Sequence, residues 1–499
     1  MNDSFDVIVI GGGPAGVTAA LRARELGASV ALVEARKMGG TCTNDGCVPV
    51  RALAHAARLV REALQSADYG VACPTVAPDF PQVMARARAI VRAVLDKKDL
   101  PGTLARAGVA LFDGAGDAQF ADAHTIRIDP NKPGQSTRAS PEAPPRIAGA
   151  PTTLRANKFI LCTGGRPRPL PCPGAEFTLS PVDVWSLTTL PARLAVVGAS
   201  ATGCQLASIF AALGSRVTLL DMAPRLLPGI DADASAALAE AFGRRDINVI
   251  TGVERIDRVA TSGSARQLFY VHGGETRTLD ADAVLVSIGW PGNADRLNPV
   301  AANIEIDKKH FVTVNELQQS VSAPHVFAAG DGDGTVLLVQ AAHAEGTLAA
   351  ENAVLGATRT IAHPIVPHGG FTDPEYGAVG LTEEDARKKY PQIVAAAVPY
   401  AELDRAVIDD RREGLCKLVV EPTSRRILGA HVVGEDATEV VQIVATAMAG
   451  GLTVHKLADI EFSYPTYTAI VGLAARAVVR KMRGEPRSHD GRAEWERGG

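Results

Sequence analysis

A six-residue glycine fingerprint occurs twice in this chain, each time after a short apolar run and each time with an acid 23 residues beyond its first glycine. The first copy is Gly11-Gly12-Gly13-Pro14-Ala15-Gly16, between Val7-Ile8-Val9-Ile10 and an alanine-rich segment, with Glu34 ending the next apolar run. The second is Gly198-Ala199-Ser200-Ala201-Thr202-Gly203, after Leu194-Ala195-Val196-Val197, with Asp221 ending Val217-Thr218-Leu219-Leu220. Strand, glycine turn, helix and strand make a βαβ unit that holds a dinucleotide pyrophosphate at the helix N-terminus. In such a unit Gly11 and Gly198 make the tight turn. Gly13, with Ser200 in the matching place, lets the backbone approach the phosphates, and Gly16 and Gly203 let helix and strand pack closely. Glu34 and Asp221 are then placed to bind ribose hydroxyls. A carboxylate repels a 2′-phosphate, so Asp221 argues for NADH, while the nearby Arg225 softens the preference and leaves NADPH open.

Between the first unit and the rest lies Gly39-Gly40-Thr41-Cys42-Thr43-Asn44-Asp45-Gly46-Cys47-Val48-Pro49. A helix beginning near Pro49 would bring Cys42 and Cys47 onto adjoining turns and set its positive end near Cys47, which lowers a thiol pKa. This pairing, next to a dinucleotide site, suggests redox chemistry. Two unrelated buried cysteines are the plain alternative. The remaining cysteines, 73, 162, 172, 204 and 416, are scattered without the spacing of a disulfide framework or a zinc site, so no metal site is expected.

The 499 residues suffice for about three domains. The formal charge of −4 shows no basic stripe of the kind nucleic acid or an anionic membrane requires. No run of eighteen apolar residues is present, and the N-terminus has neither a basic nor an apolar leader region, so a soluble cytoplasmic protein is expected. Helical patterns run over 50–71 and 80–107. Gly116 to Phe120 turns into a β-meander through Ala118, which is broken by a Pro-, Ser- and Gly-rich insertion over 129–153 that reads as a mobile hairpin tip. An apolar strand then runs into Thr163-Gly164. A strand over 283–288 closes the second unit at Gly289. Val326-Phe327-Ala328-Ala329-Gly330-Asp331, followed by a helix over 336–354, returns to the first unit and points Asp331 at a ribityl and pyrophosphate region. After Pro364 the texture is that of an α+β domain. The expected division is 1–165 and 295–363 for a first dinucleotide-binding domain, 166–294 for a second that takes NAD(P)H, 364–483 for the α+β domain, and a polar tail over 484–499.

Taken together, these motifs resemble those of the two-dinucleotide flavoprotein disulfide reductases, the group of dihydrolipoamide dehydrogenase, glutathione reductase and mercuric reductase. The resemblance covers about residues 5–482 and includes Phe371-Thr372-Asp373-Pro374-Glu375 at the opening of the last domain. It implies two Rossmann-like domains, for FAD and NAD, and a C-terminal α+β dimerisation domain. It also implies a homodimer whose active site is completed by the partner subunit. Thr41, Ala118, Thr163, Gly164, Asp331 and Gly289 join the fingerprint residues as cofactor-binding positions. Electrons would pass from NADH through flavin to a Cys42–Cys47 disulfide, with Cys42 as exchange thiol and Cys47 as the flavin-side thiolate.

Three departures from the family pattern accompany these matches. Arg51 stands where the family has a lysine, and Gln205 where it has that lysine's glutamate partner. Tyr464 stands at the place of the family's acid–base histidine in Ser463-Tyr464-Pro465, with Ala469 at its glutamate's place. A phenol, with a reference pKa of about 10, is a poor base at neutral pH. The expected acceptor is a small or protein-bound disulfide. The alternatives are a soft metal ion, as for mercuric reductase, which also lacks the histidine and glutamate, or a quinone or oxygen. A non-enzymatic redox sensor is the remaining reading. Against the metal, no cysteine follows Cys416. His343 and His431 read as ordinary structural histidines.

Overall fold

The computed structural model describes residues 3–73, 76–129, 152–263, 265–363 and 365–485. Apart from its ends, the 129–153 insertion lies outside the described residues, as does all but the start of the polar tail. The chain groups into two compact units: Met1–Pro191 with Val259–Arg266 and Ala283–His363, and Ala192–Arg258 with Gln267–Asp282 and Pro364–Gly499.

In the first unit the central strand Ser4–Ile10 lies parallel between Val30–Glu34 and Thr152–Leu161, and Ala110–Asp113 extends the sheet beyond Val30–Glu34. The ten-residue strand Thr152–Leu161 has two partners on its other edge. Its first half pairs antiparallel with Thr125–Ile128, the inner strand of a hairpin with Ala118–Asp122. Its last three residues pair parallel with Val326–Ala328, which is how the return segment rejoins the sheet. Phe159, Ile160 and Leu161 are fully buried, the continuous apolar run of a strand covered on both faces.

Helix Pro14–Glu25 packs on helix Val339–Leu355 through small residues, with the Ala15 carbonyl filling the space a Cβ on Gly346 would need. Arg22 pairs with the buried Glu351 at 2.8 Å. The helical pattern over 80–107 is two helices, Phe80–Lys98 and Leu100–Arg106, and not one. Asp99 breaks it with φ 40°, accepts the Gly102 N–H at 3.2 Å, and precedes Pro101, which fits only a first helical turn.

In the second unit Arg193–Val197, Arg216–Leu220 and Asn248–Ile250 are parallel. The C-terminal part is a five-stranded antiparallel sheet, in the order His368–Gly370, Glu375–Gly380, Arg426–Gly434, Leu415–Glu421, Val394–Pro399. Helices Ala437–Ala449 and Ala469–Met482 join its core through Val440, Val444, Ile470 and Val471, packed with Leu418 and Val432. Burying each such side chain contributes about 1.5–3 kcal/mol. The buried Lys417 lies 2.8 Å from Asp231 and 2.7 Å from both Asp233 and Glu383. A buried ammonium is tolerable only when paired in this way.

Candidate active site: two fingerprints and a cysteine pair

The two fingerprints repeat each other in geometry as well as in spelling. Gly11 has φ 111° and Gly198 φ 106°, a region that side-chain-bearing residues rarely enter. The helices begin after Gly13 (φ −77°, ψ −173°) and Ser200 (φ −81°, ψ −173°). A Cβ on Gly16 would collide with the Gly11 carbonyl, and one on Gly203 with the Gly198 carbonyl. Glu34 accepts the N–H groups of Gly12 and Arg36, both at 2.7 Å. Asp221 does the same with Ala199 and, at 2.6 Å, Ala223. Burial raises the Glu34 pKa against the pull of these donors. Each carboxylate is thus fixed at its turn, and each oxygen keeps a lone pair for a ribose hydroxyl. Arg225 turns its guanidinium to the carbonyls of Pro228 (3.1 Å) and Ile230 (3.4 Å).

The cysteine pair stands on two consecutive helices, Gly40–Asn44 and Cys47–Gln65, so the second begins two residues earlier than its proline suggested. Gly40, at φ 62°, lies directly against the Gly13 Cα, so the redox segment rests on the first fingerprint at a point where neither residue has a side chain. Asn44 holds the segment to itself through the carbonyls of Met38 (3.0 Å) and Gly40 (2.9 Å). Trp185 Nε1 donates to the Asp45 carbonyl at 2.9 Å.

Both cysteines are free thiols, Cys42 half-buried and Cys47 exposed. The Cys42 thiol hydrogen-bonds to Cys47, which lowers the Cys47 pKa to about 7 while raising that of Cys42 well above its ordinary value. Asp331 opposes the effect at Cys47 by repulsion. Asp331 is itself pushed up to about 6 by burial and by Asp333. Its turn, Gly330–Gly332, is fixed by Glu345, which accepts the Gly330 N–H at 2.7 Å, and it packs on Ala15 of the first helix.

These residues fit FAD. The glycine turn and helix N-terminus at Gly11–Gly16 suit a pyrophosphate, Glu34 a ribose, and Asp331 a ribityl chain. The Thr163 hydroxyl is buried at the end of the central sheet without a hydrogen-bond partner among the described residues, as expected of a group meant for a ligand. Asn293 holds the adjoining backbone, donating to the Thr163 carbonyl at 2.9 Å from its side chain and to Gly164 at 3.2 Å from its backbone. Thr41 lies on the Cys42 helix, and Arg51 one turn beyond Cys47. Ala118 is buried at the start of its strand, and Gly289 sits at φ 117°.

In the second unit the Tyr464 hydroxyl donates to Asp404 at 2.6 Å, an interaction that raises the phenol pKa further, and the side chain is 75% exposed. Gln205 accepts the Phe371 N–H at 3.1 Å and donates to the Ala201 carbonyl at 2.8 Å. His343 lies 2.7 Å from the Thr18 hydroxyl, and His431 lies between the Asp231 N–H and the Leu381 carbonyl. Sequence reasoning did not reach Asp404, Trp185 or Lys98, whose Nζ donates to the Thr43 hydroxyl at 2.9 Å. Each lies far along the chain from its partner, and no local pattern marks it. Among the described residues no group of three or more His, Cys, Asp or Glu is arranged to hold a metal ion, and no helix is long and apolar enough to cross a membrane.

Residues 5–346 match the model of the pyridine nucleotide-disulphide oxidoreductases, and residues 366–475 match the dimerisation domain of that family. The chain is 31% identical to a mercuric reductase of Staphylococcus aureus over 94% of its own length and 82% of that protein. It is 30% identical to a dihydrolipoyl dehydrogenase of Chlorobaculum tepidum over 96% and 98% of the two chains. Among solved structures it is similar to the Cu(II) complex of the HOCl-induced flavoprotein disulfide reductase RclA of Escherichia coli. The TM-score is 0.81 and the identity 26%, over 96% of this chain and 100% of that one.

Proposed function

This chain belongs to the pyridine nucleotide-disulphide oxidoreductase family, whose members use FAD and NAD(P)H, and from that premise we propose that it is a cytoplasmic homodimeric reductase of disulfides acting through Cys42 and Cys47. Bound FAD would take a hydride equivalent from NAD(P)H and deliver the electron pair to the cysteines. The observation that carries the reading is the placing of the pair: Cys42 and Cys47 stand on consecutive helices of a segment that lies against the first glycine turn, and Cys42 draws Cys47 towards thiolate. The hydrogen bond between them gives the Cys42 proton an acceptor within the pair when Cys42 attacks a substrate sulfur. Cys47 then displaces the substrate sulfur from Cys42, and the pair closes to its own disulfide. The proton of the pair leaves on one product thiol, and water supplies the other. An imidazole is then not required for the first step.

A second reading, a soft metal ion as acceptor, is favoured by Tyr464. Its hydroxyl proton is committed to Asp404, and two thiolates bind a soft ion without any acid. The relatives named mercuric reductase and the copper complex of RclA support the same reading. Anaerobic NADH consumption with lipoamide, glutathione disulfide, thiol-complexed Hg(II) and Cu(II) in parallel separates the two. Turnover with a disulfide is the expected result, and turnover with a metal alone would reverse the order of the readings. Tyr464→Phe is expected to keep disulfide turnover within about twofold. A fall of about a hundredfold, the usual scale of a lost general acid, would make the phenol the proton donor.

NADH is the expected donor, because Asp221 is held at its turn by two backbone donors and Arg225 is engaged with carbonyls. Asp221→Asn removes the charge that repels a 2′-phosphate. The ratio of kcat/KM for NADPH to that for NADH should rise about tenfold or more, equivalent to about 1.4 kcal/mol. An unchanged ratio would mean that Asp221 does not read the ribose.

A further inference from the structure

Helix Phe80–Lys98 ends against the redox segment. Leu95 packs where Gly39, at φ 97°, presents no side chain, the nearest Leu95 methyl lying 3.1 Å from the place a Cβ would occupy. One turn further on, the Lys98 ammonium donates at 2.9 Å to the hydroxyl of Thr43, the residue after Cys42, which is fully buried. A cation in the last turn of a helix is also favoured by the helix dipole. The fold therefore fixes one positive charge beside the pair from an element distant in sequence, and its field reaches Cys42, Cys47 and His343.

Other charged groups lie around the pair. Arg51 lies on the Cys47 helix, and Asp45 lies between the cysteines under the influence of Lys37 and Arg36. Asp331 repels a Cys47 thiolate from the turn Gly330–Gly332, and Asp96, Lys97 and Asp99 flank Lys98 itself. Lys98 is hydrogen-bonded to the residue after Cys42 and acts on both thiols.

We propose that Lys98 is a positioning and selectivity residue of the cysteine pair: anchored on Thr43, it stabilises the reactive thiolate and draws acceptors that carry negative charge, such as carboxylate-bearing disulfides. The acceptor class rests on the disulfide reading above. The effect on the thiolate does not.

Peptide-resolved alkylation of the pair in thiol-reduced, desalted holoenzyme tests both parts without any acceptor. Iodoacetamide and iodoacetate carry out the same substitution and differ in charge. Removing a nearby cation disfavours the thiolate, so in Lys98→Met the pH at half-maximal iodoacetamide reaction should rise by about half a unit, equivalent to about a twofold slower reaction at pH 7. The iodoacetate rate should fall further, about tenfold, because the reagent loses an attraction as well. Lys98→Arg should restore both, and added salt should narrow the difference in the parent protein. Equal falls for the two reagents would overturn the selectivity. An unshifted profile in a Lys98→Met protein with unchanged thermal unfolding would overturn the whole proposal. Failure of disulfide turnover with these alkylation results intact would instead count against the acceptor reading alone.

Discussion

Cys42→Ala is expected to consume about one equivalent of NADH per flavin under anaerobic conditions and then stop, with acceptor turnover reduced by about a thousandfold or more. The size follows from the role: without Cys42 the remaining thiol cannot form the intramolecular disulfide, so a mixed disulfide formed on Cys47 is not resolved and turnover stops. A second readout follows from the hydrogen bond. The low Cys47 pKa, about 7, arises first from the Cys42 thiol, so its removal should carry the Cys47 alkylation profile upward in pH towards the ordinary cysteine range. Rapid-mixing absorbance and alkylation against pH measure the two effects separately. Sustained turnover in the variant would mean that electrons leave the flavin directly, as to a quinone or oxygen, and the disulfide reading would fall.

Gly16→Ala and Gly203→Ala are expected to break one nucleotide site each. In both, the new methyl group meets the carbonyl of the first glycine of its own fingerprint, and that backbone cannot withdraw without opening the turn that faces the phosphates. Overpacking of this kind costs about 1–3 kcal/mol, hence about a ten- to hundredfold loss of nucleotide affinity. The cysteine segment rests on the first turn, through Gly40 against Gly13, which is why the proposed flavin site is the first fingerprint. Gly16→Ala should therefore purify with little flavin, read as the ratio of absorbance at about 450 nm to that of the protein. Gly203→Ala should keep its flavin and resist reduction by NADH, yet pass electrons to the acceptor once reduced by dithionite. The opposite pairing of losses would reverse the assignment of the two sites.

The limits of the sequence reading lie at particular residues. The fingerprints, their acids and the cysteine pair are contiguous motifs whose chemistry depends on backbone shape over a few residues, so their local geometry follows from spelling. The helical pattern over 80–107 was legible, but its division at Asp99 was not, because helical periodicity continues across a one-residue break. That break ends the first helix at Lys98, beside Thr43. Tyr464 could be recognised as a departure from a histidine, whereas the carboxylate that holds its hydroxyl, Asp404, lies 60 residues away on another element.

The sequence by itself determined the two glycine turns, because each rests on steric limits within a single βαβ unit, and the family, because its motifs recur along the whole chain. Only the tertiary structure decided which charges and donors act around the cysteines: Lys98 through Thr43, Trp185 on Asp45, and the repulsion of a Cys47 thiolate by Asp331. Electrostatic and hydrogen-bond effects depend on distance in space, and chain separations of 55 and 140 residues carry no record of distances of 2.9 Å.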